Sequence, residues 1–305
     1  MTSETDKMVQ SPAASLEKAG SAVAARVDDI KNVEKEKESQ WNTRNLGSRL
    51  GADAAAAVTA GVLVAPVITM IDKAIMENAS GRAALVPSLK SSLKSLLLRP
   101  HTFLLTRPFF LVFSLYTTTY LTANTLDTAT STIRNTPPST TTAGMNKFIA
   151  TSTANLSICL YKDSQFAKMF GAASSSARPV GVASYALFTI RDCLTIFASF
   201  NLPPMIAPHL PASLDGPTSS LSRLGVAQFL APAGLQLFST PLHLLGLDLY
   251  NRAESVGWRS RMLKVGKDWL PSAIARMGRI IPAFGVGGVV NTGVRRELMG
   301  RIERV

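Results

Sequence analysis

Six interrupted apolar windows divide the chain, near residues 52–74, 103–124, 146–161, 180–200, 225–247 and 278–294. None is an unbroken apolar run of the roughly 18 residues that marks a lone membrane span. Gly, Pro, Ser and Thr break each one. That pattern fits helices that show one side to lipid and pack the other around a polar interior. It predicts an all-α membrane protein of six transmembrane helices. A recurring arginine sharpens the reading. Arg107 lies in HTFLLTRPFFLVFSLYTTTYLTA, Arg191 in VASYALFTIRDCLTIFASF and Arg279 in ARMGRIIPAFGVGGVV, spaced 84 and 88 residues apart. A charge inside a span costs roughly 3 kcal/mol on insertion scales. Three at a near-constant period imply repeats whose polar position faces a shared interior.

The windows also carry packing signals. Gly47, Gly51, Ala54, Ala57 and Gly61 put small residues along the first window, where they let helix backbones approach closely in lipid. Pro66 then interrupts the hydrogen-bond ladder and predicts a kink. The fifth window repeats the plan, with Pro241 placed 175 residues after Pro66, about twice the arginine period. The third window has no proline at the matching place. Two connections read as short basic amphipathic helices lying along a membrane surface. In SLKSSLKSLLL the face is Leu89, Leu93, Leu96 and Leu97; in GWRSRMLKVGKDWL it is Trp258, Met262, Val265 and Trp269, with Arg259, Arg261, Lys264 and Lys267 around it.

Composition agrees with a membrane domain: 46% apolar, 17% charged, and a mean hydropathy of +0.18 over 305 residues. The net charge of +12 is unevenly spread. Residues 1–45 hold seven basic and eight acidic residues and few large apolar ones, so they read as a flexible polar tail open to a protein partner. Their acidity argues against a cleaved mitochondrial presequence. Beyond them the excess of Lys and Arg sits in short connections, without the aromatic interleaving of a nucleic-acid surface, and suits anionic lipid headgroups. The connections after windows one, three and five are the basic ones, which assigns them to the positive-inside face and both termini to the other. Cys159 and Cys193 fit no disulfide or zinc spacing, and His101, His209 and His243 are scattered. Nothing points to an enzyme, a metal or a cofactor.

Three local patterns resemble the mitochondrial carrier family: FTIRDCLTIFASF with its Arg-Asp pair, GRIIPAF with proline three residues after arginine, and STPLHLLGLDLYNR. The resemblance covers residues 46–298 and implies three two-helix repeats, about 46–127, 143–206 and 220–298, related by pseudo-threefold symmetry, with 299–305 as a C-terminal tail. It implies a multi-pass protein of a mitochondrial membrane, the inner one before the outer. It also implies that Arg107, Arg191 with Asp192, and Arg279 contact substrate near mid-membrane. The family's Pro-x-acidic-x-x-basic ending is not kept: Ile68 and Ile71 follow Pro66, and His243 and Gly246 follow Pro241. Asp72, Lys73 and Asp248 stand nearby but out of register, and Tyr120, Pro204 and Thr292 take the corresponding acidic places of the even helices.

Two functions follow as expectations. One is alternating-access transport of a small anionic solute gripped by arginine, or of a zwitterion whose amino group Asp192 holds. The other is a carrier-fold scaffold or morphology factor whose gate charges have eroded.

Overall fold

A computed structural model describes residues 41–172, 179–212, 222–252 and 256–304. All regular structure among them is helical. The long helices are α1 (Leu46–Ser80), α4 (Arg107–Arg134), α5 (Gly144–Phe170), α6 (Val182–Phe200), α8 (Arg223–Asn251) and α9 (Trp258–Gly278). The last continues through a π-helical stretch, Ile281–Gly287, into α10 (Gly288–Glu303). The shorter helices among the described residues are α2 (Leu85–Leu98), α3 (Pro100–Leu104) and α7 (Leu202–Ile206), the last followed by a 3-10 turn at Ala207–His209.

Local chemistry sets the boundaries. Thr106 caps α4, its hydroxyl accepting the Phe109 N–H, with Pro108 in the first turn where a missing N–H costs nothing. Ser222 caps α8 through the Gly225 N–H at 3.0 Å. Gly81 ends α1 at φ 78°, a left-handed turn that a side chain would strain.

The long helices form a ring. α1 packs on α4, α4 on α5, α5 on α6, α6 on α8, α8 on α9, and α10 returns to α1. At one end the C-termini of α1, α5 and α8 converge, so that the Ser80 hydroxyl donates to the Phe170 carbonyl at 2.8 Å and the Ala172 N–H to Asn251 at 2.9 Å. At the other end Asp53 of α1 is fully buried, paired with Arg295 of α10 at 2.7 Å and accepting the Thr128 hydroxyl of α4 at 2.6 Å. Asn124 and Asn291 exchange hydrogen bonds beside them at 2.8 and 2.9 Å.

The ring is apolar outside and polar inside. Val62, Leu63, Phe110, Ile149, Val182, Phe238, Leu263 and Ile274 face outward, while Asp53, Asp72, Lys162, Asp163, Arg191, Asp248, Arg276 and Arg295 are buried. Water would expel the first set and solvate the second, so this arrangement belongs in lipid. Among the described residues three helices are long and apolar enough to cross a membrane: Leu46–Ser80, Val182–Ser199 and Trp258–Glu303. The sequence led to an expectation of six spans. α4 and α5 carry many threonine, asparagine and charged residues, and α8 carries glutamine, histidine and two prolines, which lower their hydropathy.

Several other expectations change. Leu89 and Leu96 of α2 are part-buried, but its inner face is Ser88 and Ser92, with Leu93 and Leu97 turned outward. The second amphipathic helix is not separate: it is the first half of α9 and buries Arg261, Val265 and Asp268. Connectors after α1 and α8 therefore differ, one a free helix and one fused to its successor. Residues 299–303, expected as a tail, continue α10; Met299 is fully buried and Glu303 accepts the N–H and hydroxyl of Ser139 at 2.8 and 2.9 Å. The expected tail at 1–45 lies outside the described residues up to position 40, and Asn42 already bonds to α4 through the Thr132 carbonyl at 2.8 Å.

Pro66 and Pro241 sit inside continuous helices. Pro241 cannot donate to the carbonyl of Leu237, and the Trp269 indole N–H of α9 takes that place at 2.7 Å. Trp269→Phe keeps the ring and removes the donor. We expect it to cost about 1 kcal/mol, read as a lowered melting temperature in detergent; an unchanged value would mean that water or lipid headgroups satisfy Leu237.

Candidate functional site

One group of inward-facing charges gathers in a layer. Asp72 of α1, Lys162 and Asp163 of α5, Arg191 of α6, His243 of α8 and Arg279 at the end of α9 come together although they are far apart in sequence. Asp72, Lys162, Arg191 and His243 each lie eight or nine residues from the end where α1, α5 and α8 finish. At a rise of 1.5 Å per residue this is about 12–13 Å into the ring.

Four of the pairings join different helices, and two lie between neighbours in sequence. Lys162 bridges Asp72 at 2.5 Å and its neighbour Asp163 at 2.7 Å. Arg191 reaches Asp163 at 2.7 Å and Asp192 at 2.6 Å, and its Nη1 lies 2.6 Å from Nδ1 of His243. A guanidinium can only donate, so Nδ1 accepts and the imidazole proton sits on Nε2. Arg279 holds the other oxygen of Asp72 at 2.7 Å. Asp72, Lys162, Asp163 and Arg191 are at most 4% exposed, so each depends on its partners for the solvation it has lost.

On the far side of this layer lies a cavity of about 190 Å³. Its walls are Tyr116, Thr119 and Tyr120 of α4, Asn155 and Cys159 of α5, Asp192 and Thr195 of α6, Gln236 of α8, Arg276 of α9, and Arg279 to Gly288 across the π-helical stretch. That stretch follows from its composition. Pro282 removes an N–H from the ladder, and Gly287 packs against Tyr120 and Val64 too closely to admit a side chain. Tyr120 donates its hydroxyl to the Ala283 carbonyl at 2.7 Å, joining α4 to the same stretch.

Two polar groups in the wall are incompletely used. Asp192 gives Oδ1 to Arg191, while its buried Oδ2 has no hydrogen-bond partner among the described residues. Arg276 is 5% exposed and donates Nε–H to Gln236 at 2.9 Å, without a carboxylate partner there. Cys159, Asp163 and Asp192 stand close enough together to hold a metal ion, but Arg191 already occupies the space between them. Chemically, the cavity can hold a small molecule by both a positive and a negative group.

The arginines expected at one depth do not all meet. Arg191, Asp192 and Arg279 line the cavity. Arg107 is the first residue of α4, exposed at the rim, and donates to Gln165 at 2.7 Å. Tyr116 takes its place in the cavity wall. Asp163, Gln236 and Arg276 were not singled out from the sequence. Arg276 precedes Arg279 by one helical turn, a spacing that puts both on one face. Asp72, Lys162 and His243 form cross-helix pairs out of the register that the resemblance called for.

A family model described as "Probable citrulline exporter" matches residues 56–299, from within α1 to within α10. The chain belongs to that family. No curated protein and no solved structure matches it. The resemblance to the mitochondrial carrier family is thereby corrected: the match is to the exporter family. Spaced arginines and kink-type prolines suit any helical membrane bundle with a polar interior, whereas the carrier's own charged motif was missing. Membership of the exporter family, with the apolar spans, supports a multi-pass membrane protein and agrees with transport in general. The mitochondrial location rested on the carrier resemblance and loses that support.

Proposed function

We propose that this protein exports citrulline, or a closely similar neutral amino acid, by alternating access of the central cavity. Under this reading all six long helices cross the membrane and the charged layer closes one side. The family description supplies the substrate, and the cavity supplies the chemistry that fits it. Citrulline is a zwitterion at neutral pH, with an uncharged ureido end that donates and accepts hydrogen bonds. The observation that carries the reading is the unpartnered Oδ2 of Asp192, buried in the wall of a cavity that also holds Arg276 and Arg279. An ammonium group would satisfy Oδ2, and Asn155, Thr119 and Thr195 offer uncharged partners to a ureido group. A purely anionic solute would leave Oδ2 facing a like charge.

Binding is testable on the purified protein. Citrulline at about 100 times its dissociation constant should stabilise the fold by about 2.7 kcal/mol, read as a raised melting temperature in detergent. Asp192→Asn keeps the shape and removes the charge; it should weaken that stabilisation at least tenfold in citrulline concentration. Equal stabilisation of the variant would remove the cavity from the proposal.

A further inference from the structure

The charges at the cavity floor do not cancel. Lys162 is shared between Asp72 and Asp163, Arg191 between Asp163 and Asp192, and Arg279 takes the second oxygen of Asp72. Three carboxylates therefore face four cations, the fourth being Arg276. Its one polar contact among the described residues is with Gln236, and that contact is fixed in orientation. The Gln236 amide N–H donates to the Pro232 carbonyl at 3.0 Å and Ser239 donates to its Oε1 at 3.3 Å, which turns Oε1 towards the Nε–H of Arg276. The two terminal amino groups of the guanidinium are left without a partner in the wall of the cavity. A cation this deeply buried is costly unless an anion joins it.

We propose that Arg276 sets the charge selectivity of the exporter: it receives the α-carboxylate of the substrate, and the positive floor it creates turns away amino acids with a cationic side chain. This deepens the export reading and rests on it. Two parallel N–H donors match a carboxylate in the bidentate form that arginine favours. With the substrate's ammonium on Asp192 and its carboxylate on Arg276, each charge of a zwitterion meets an opposite one, while the floor keeps its one cation in excess. A second ammonium or a guanidinium then enters a floor that already carries one cation in excess, and repulsion there is strong because the walls exclude water. Citrulline passes because its ureido end has the shape of a guanidinium without the charge. Arg276 is thus a specificity-determining residue.

The test uses the full chain in proteoliposomes, with labelled citrulline and unlabelled competitors. For the unaltered protein, arginine and ornithine should compete at least tenfold less well than citrulline. Citrulline with its carboxylate converted to the amide should also lose at least tenfold. Arg276→Gln should weaken citrulline at least tenfold and narrow the gap between citrulline and ornithine to within about threefold. Arg276→Lys should keep the exclusion of cations while weakening citrulline, since it retains charge without the bidentate grip. Competition by the amide equal to that of citrulline overturns the proposal, and this arm needs no variant to fold. So does an Arg276→Gln protein that moves citrulline and keeps the original preference over ornithine. Failure of the unaltered protein to move citrulline at all overturns the export reading itself, and this inference with it.

Discussion

Replacing Lys162 with alanine should lower the unfolding free energy by about 3–5 kcal/mol, a large share of a typical stability. Lys162 is 1% exposed and is shared by Asp72 and Asp163, so its loss strands carboxylate charge from α1 and α5. Arg279 and Arg191 remain as partial partners and keep the cost from rising further. The control is a neutral pair, Lys162→Met with Asp163→Asn, which should recover most of the loss because Asp72 keeps Arg279 and Arg191 keeps Asp192. Melting in detergent reads both. If Lys162→Ala melts with the parent protein, the layer contributes little to the fold in this state.

The second large effect lies at the opposite end. Asp53→Ala leaves Arg295, 6% exposed, without its one acidic partner among the described residues and removes the acceptor of the Thr128 hydroxyl. Arg49, one turn earlier and also buried, keeps its contacts to the Thr128 carbonyl and Ser131 but loses the nearest negative charge. The expected loss is again about 3–5 kcal/mol. Asp53→Asn should cost less, since it keeps an acceptor at the same place. A double substitution, Asp53→Ala with Arg295→Met, should be milder than Asp53→Ala alone. If the double is as unstable as the sum of the singles, the two side chains do not depend on each other.

The long helices were legible in the sequence because their apolar windows are strong local signals. The windows at 52–74 and 225–247 lie within α1 and α8, and that at 180–200 nearly coincides with α6. Boundaries were less so: α9 absorbed a segment that looked like a surface helix. Its buried stripe of Arg261, Val265, Asp268, Ser272 and Arg276 is polar except for Val265, and a hydrophobic-face reading looks mostly at the wrong side. In lipid, the apolar face is the outward one.

The site was half legible. Arg191, Asp192 and Arg279 stood out as charges within greasy stretches, and they do line the cavity. Arg107 stood out for the same reason, yet it only starts α4 at the rim. A charge near a window's edge reads much like one at its centre, and the Thr106 cap and Pro108 were the local signs that a helix began there. Asp72 and His243 were visible but set aside because one spacing rule was imposed on them, and Lys162 was not drawn on. Their pairing depends on where α1, α5 and α8 cross, which no local pattern encodes. Asp163 and Arg276 gave no signal beyond being charged residues at helical spacing from others.

Efflux measures the central claim most directly. Proteoliposomes loaded with labelled citrulline, containing the purified full-length chain, should release it into citrulline-free buffer faster than protein-free vesicles. Asp192→Asn, inserted at equal amount, should slow that release at least tenfold. Release from the unaltered protein no faster than from empty vesicles, with the protein shown to be folded and inserted, would contradict the account.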